Sequence, residues 1–241
     1  MDRYRALLMG ASLGACLTVL ANQSNAQALH ASRGASAQAA VSTGPRTPAF
    51  FGTLAQKIAA ERFWSEWERA LRDASGSPRM RALIQPATRL NPEQQLKYVQ
   101  AAVTRSIGWR SDTTQWGRHD YWASADETLS RGLGDMEDRA IVKMQALRAL
   151  GIPSTDLYLT LGRDEATGPQ TVLIVRLAGR YYVLDDTGGL PFTPERRPEF
   201  TPVLTFGFGA VWAHSPDPSR VGERTTSRQG DSPSGQSYAG Q

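Results

Sequence analysis

Cysteine is nearly absent from this sequence: Cys16 is the only one, and it lies in an apolar stretch near the start. A disulfide-stapled fold and a cysteine-rich metal centre are both excluded, since each needs at least two thiols at defined spacing. Histidine is scarce as well. His30, His119 and His214 stand too far apart for the i, i+4 pairing that lets one helix face hold a zinc ion. Beyond the apolar N-terminal run no Gly-x-Ser-x-Gly segment occurs, so a serine presented on a strand-to-helix elbow is excluded too. Long apolar runs are missing: the longest, Ala6 to Ala21, falls short of the roughly 20 residues that span a bilayer, and no transmembrane segment is expected. The net charge of +4 comes mostly from single arginines scattered among acids, and without basic runs it gives no case for nucleic acid as a partner.

What is present begins with an export pattern. Arg3 and Arg5, the apolar run and Ala26-Gln27-Ala28 form the three parts of a secretory signal over residues 1–28, with a mature start at Leu29. Leu13-Gly14-Ala15-Cys16 also fits a lipoprotein signal, but the apolar run continues through Leu17, Val19 and Leu20, which favours simple export to the periplasm or beyond. Residues 29–47 read as a disordered leader rich in Ala, Ser and Gly, and residues 215–241 as a polar tail. One domain over residues 48–214 remains.

Within it helices precede strands. Leu54, Ile58, Trp64, Trp67 and Leu71 recur at near-helical spacing. Asn91 caps a second helix with Pro92 at its first position and Leu96, Val99, Val103 and Ile107 on one face. Ser124-Ala125-Asp126-Glu127 is a capping box, and Asp135 caps a central helix that starts at Met136 and stops at Gly151 and Pro153. Then Leu157, Leu159 and Leu161 alternate, Thr171 to Leu177 is β-branched and apolar, and Tyr181 to Leu184 follows a turn at Ala178-Gly179. The fold class is α+β, a helical half packed on an antiparallel sheet.

Gly134-Asp135-Met136-Glu137-Asp138 ahead of that central helix carries the chemistry. Taken with Asp120-Tyr121-Trp122-Ala123, Gln170-Thr171-Val172-Leu173 and Val183-Leu184-Asp185-Asp186, it resembles the bacterial transglutaminase-like cysteine peptidases, which share a papain-like, transglutaminase-like fold. The resemblance is specific from Trp116 to Pro153 and looser elsewhere. It implies a nucleophile at position 136, a histidine at 170 and an aspartate at 185. Here those positions hold Met136, Gln170 and Asp185. A thioether has no proton to lose and an amide takes none near pH 7, so the first two cannot do the family's chemistry. The resemblance therefore implies a family member without the family's thiol.

Asp135 and Glu137 have two readings. Capping and the helix dipole suffice to explain them, whereas the resemblance implies calcium ligands, because acids flanking the cysteine hold calcium in adhesin-cutting relatives. Trp116, Tyr121 and Trp122 likewise read either as core or as peptide-binding aromatics beside the cleft. Three functions follow: a non-catalytic module that binds a protein or peptide in the cell envelope, a residual hydrolase working without cysteine, and a structural or regulatory envelope protein.

Overall fold

The computed structural model describes residues 46–219. The expected signal segment, the leader up to residue 45 and the tail beyond residue 219 lie outside the described residues. Local signals shape the helical half. Ser77 caps Pro78–Ile84, Asn91 and Gln94 close a reciprocal capping box on Pro92–Ser106, and Ser124 and Glu127 do the same for Ala125–Arg131. In chain order the helices are α1 (Trp64–Ala70), α2 (Pro78–Ile84), α3 (Pro92–Ser106), α4 (Asp112–Trp116), α5 (Ala125–Arg131) and α6 (Met136–Ala149). The strands are β1 (Thr53–Ile58), β2 (Gly108–Trp109), β3 (Leu133–Gly134), β4 (Leu157–Asp164), β5 (Gly168–Leu177), β6 (Arg180–Leu184), β7 (Phe200–Gly207) and β8 (Ala210–Pro216). Six of them form one antiparallel sheet in the order β1-β8-β7-β4-β5-β6, while β2 and β3 make a short parallel pair ahead of α6.

Both faces of the sheet are covered, and strand alternation sorts the side chains. Leu157, Leu159, Leu161, Leu173 and Val175 meet the helices, chiefly α6. Tyr158, Val172, Ile174 and Val183 point the other way, into a second core closed by Phe50, Phe51, Phe200 and Trp212. Helix α6 is buried from Asp138 to Leu147 without a break. Its polar members find distant backbone partners: Lys143 donates to the Asp185 carbonyl, Arg139 to the Ile107 carbonyl and Gln145 to the Ala70 carbonyl. Buried polar groups persist only when so satisfied.

The first expected helix needs correction. Residues 53–58 form an edge strand paired with β8, and α1 begins only at Trp64. Phe51 and Gly52, both with positive φ, reverse the chain onto β8, and Thr53 bonds His214 across the pair at 2.8 Å. Six ladder pairs outweigh a spacing that propensity alone reads as helical. Leu54 is consequently exposed. Strand β8 runs through Ser215 and Pro216, into the stretch expected to be tail.

Candidate functional site at the start of helix α6

Gly134 sets the entry to α6. A Cβ there would sit 2.7 Å from Asp138 Cβ and 3.0 Å from Thr128 Cγ2, so only glycine lets β3 pass this close to the helix. The Arg110 N–H donates to the Gly134 carbonyl, holding the 108–112 segment alongside. Asp135 then caps the helix by accepting from the Asp138 N–H, and Met136 is the first helical residue, half-buried. Unsatisfied N–H groups at this point favour negative charge, the environment in which a thiol ionises readily and a thioether gains nothing.

Four acids crowd this helix start. Carboxylate oxygens of Asp112, Asp135 and Asp138 lie within 4.8 Å of one another. Asp112 Oδ2 accepts from the Tyr121 N–H at 2.6 Å and Asp138 Oδ1 from the Ala123 N–H at 2.8 Å. Asp112 Oδ1 and Asp138 Oδ2 are buried with no hydrogen-bond partner. Burial, then repulsion by Glu137, Asp138 and Asp112, pushes Asp135 up to about 11. Burial is also the leading cause that raises Asp112, Glu137 and Asp138, the last well above the carboxylate range. A purely capping role would leave one aspartate at the cap. Here instead three converge, two of them with unpartnered oxygens, which is a donor set suited to a hard cation.

The other two expected positions lie on and just beyond the strands of the sheet. Helix α6 has 14 residues, roughly 21 Å at 1.5 Å each, and the short return through residues 150–156 leads into β4. Its Gly162 opposes Gln170 on β5. Gln170 Nε2 donates to Thr167 Oγ1 at 3.0 Å. Asp185 follows β6 and is buried, 5% exposed; extending the β5–β6 register by one step sets it beside Val172, one diagonal from Gln170. Its Oδ1 accepts from Thr187 N and Oγ1, and its Oδ2 meets Arg197 Nη1 at 3.2 Å.

The aromatic expectations divide. Trp116 and Tyr121 are half-buried and tilted against each other at 4.5 Å, with Arg131 over the first and Arg69 over the second, so they stay near the surface around the acids. Trp122 is a correction: at 1% exposure it packs against Phe63 and Phe206, and a side chain in the core cannot touch a ligand. Exposed Trp109, paired with Gly134, is the nearer candidate, and no spacing in the sequence marks it. Asp112 and Arg197 also carry no sequence signal, the first standing in a polar stretch and the second in the charged run Glu195-Arg196-Arg197. His119 is exposed, and His214 is bound by Thr53 and Thr205 in the sheet, far from this chemistry in role. An apolar groove of about 760 Å³ between β1 and α1, lined by Ile58, Trp64, Trp67 and Val211, contains none of the converging polar groups.

Residues 72–189 match the family model described as bacterial transglutaminase-like cysteine proteinase. Among solved structures, Legionella pneumophila LapG is 22% identical over 71% of this chain and 97% of that chain, with a TM-score of 0.50. Calcium-bound Legionella pneumophila LapG is 24% identical over 65% of this chain and 88% of that chain, again at 0.50. At such identity the likeness speaks to fold, and the fold is the mixed helix and antiparallel-sheet arrangement of that group. No curated protein matches the chain.

Proposed function

Because residues 72–189 match the bacterial transglutaminase-like cysteine proteinase family model, we propose that the chain is an exported, non-catalytic member of that family whose cleft binds a protein or peptide of the cell envelope, with calcium held beside it. Met136 carries this reading. It takes the helix-start position where a thiolate would be stabilised, and the described residues contain no cysteine that could stand in. Gln170 cannot relay a proton. Binding requires only the groove. A hydrolase that used Asp185 as its base is disfavoured, because both carboxylate oxygens are engaged by Thr187 and Arg197.

Asp112, Asp135 and Asp138 would hold the cation, with Glu137 adjoining, and the fit rests on the two unpartnered buried oxygens. Bound calcium would supply positive charge that lets these acids ionise. The calcium-bound LapG relative supports the choice of metal. Export is supported by the signal pattern of residues 1–28.

The test uses protein recovered from the periplasm, expected to begin at Leu29 by intact mass. It should cut no peptide and take up no thiol-directed label, whereas Met136→Cys should be labelled. Turnover by the wild type, lost in Asp185→Asn, would overturn the reading. If instead a bound envelope protein is released by neither Trp109→Ala nor Gln170→Ala, a surface outside the cleft makes the contact and the third function stands.

A further inference from the structure

Arg197 joins the network that links the two strand positions of the family constellation, 170 and 185. Its Nη1 lies 3.2 Å from Asp185 Oδ2 and its Nε 3.0 Å from Asp164 Oδ2. Asp164 Oδ1 gathers the N–H groups of Ala166 and Thr167 and the Thr167 hydroxyl, and that hydroxyl accepts from Gln170 Nε2. The network therefore runs without a gap from position 185 to position 170. It is well shielded: the side chains of Arg197, Asp164 and Asp185 are 13%, 3% and 6% exposed. Charged neighbours on the surrounding elements are Glu199, 3.8 Å from Arg197 Nε, Lys143 on the Asp185 carbonyl, and the Arg139–Asp186 pair.

A guanidinium suits this place in a way an imidazole does not. It never loses its charge, and its planar fork reaches two carboxylates in different directions at once. Strand alternation puts Gln170, Asp164 and Asp185 on one sheet face, so a ring at position 170 and the Arg197 head would compete for the same Asp185 oxygen. We propose that Arg197 is a positioning residue that has taken over the hold on Asp185 expected of a histidine at position 170, bracing the vacated site with a permanent ion-pair bridge. The bridge keeps β6 and the β4–β5 turn in register, and it blocks Asp185 from orienting any base restored at position 170. This rests on reading positions 170 and 185 as the family's.

The experiment follows an imidazole introduced by Gln170→His, titrated by NMR in the otherwise intact mature chain. With Arg197 in place it should titrate at or below the usual value near 6.5. Adding Arg197→Met should free Asp185 as its partner and raise that pKa by about one unit, and adding Asp185→Asn should abolish the rise. No rise on removing Arg197, or a full rise with Arg197 present, overturns the proposal. Should Arg197→Met fail to fold, Arg197→Lys keeps the charge but cannot span both carboxylates. A smaller upward shift is then expected, and none counts against the bridge. No thiol or turnover enters this readout, so its failure leaves the non-catalytic reading standing, and turnover by wild type would overturn that reading alone.

Discussion

Replacing Asp135 by Asn separates a cation site from a helix cap, because asparagine caps about as well as aspartate but carries no charge. Asp135 is pushed up to about 11 by burial and by its acidic neighbours. The sign follows directly: an acid whose folded pKa lies above its unfolded value of 3.8 binds more proton in the folded state, so stability falls as pH rises through that window. One proton costs about 1.4 kcal/mol per pH unit, and a domain of this size moves roughly 2–4 °C per kcal/mol. From this group alone, metal-stripped wild type should then melt about 3–6 °C lower at pH 7.5 than at 6.5, while His214, lowered by burial to about 4, and Lys143, lowered to about 8, oppose it by only a few tenths of a kcal/mol each. Asp135→Asn should flatten that slope and equal or exceed wild type without metal. Calcium at 100 times its dissociation constant contributes about 2.7 kcal/mol, or roughly 5–10 °C, to wild type and little to the variant. Calorimetry in chelator and in calcium reads all four conditions. A flat slope in wild type together with no calcium shift would leave capping as the whole role of Asp135 and sink the metal site.

Burial lowers His214 to about 4, so the unfolded chain takes up its proton first as pH falls. Stability should drop by up to about 3 kcal/mol between pH 6.5 and 4, and His214→Gln should blunt that drop in urea titrations. Trp122→Ala should cost about 3–5 kcal/mol, as for any large core side chain, while exposed Trp64→Ala should stay within about 0.5 kcal/mol of wild type, both read from denaturant midpoints. Wild type should resist thiol reagents under conditions that label Met136→Cys.

Signals confined to a few residues are legible in the amino-acid sequence alone. Asn91, Ser124 and Asp135 each announce a helix start because the capping partner lies three residues on, at N3. Strands β4, β5 and β6 are legible from alternation and β-branching. Strand β1 is not, since Leu54 and Ile58 repeat at a helical interval and only pairing with distant β8 makes them a strand. The tryptophans show the same limit: Trp64 and Trp67 are alike in sequence, yet one is 56% and the other 3% exposed, because α1 turns a single face to Phe206 and Phe208.

At the site, the part that lies along α6 is legible, and what other segments bring to it is not. Asp135, Met136 and Glu137 are neighbours in the chain, so their meeting needs no fold. Asp112 reaches them from another segment, held there by the Tyr121 N–H on one of its oxygens. That geometry also bears on why the acids persist beside a methionine. Capping would be served by Asp135 alone, and three crowded carboxyls, two of them buried, oppose folding at neutral pH. Their retention is consistent with a cation that offsets the cost, and a cation there orders the 108–123 segment whether or not a thiol follows Asp135. On the proposed reading a bound cation would organise the groove, binding would need only the groove, and a methionine at position 136 would leave both intact.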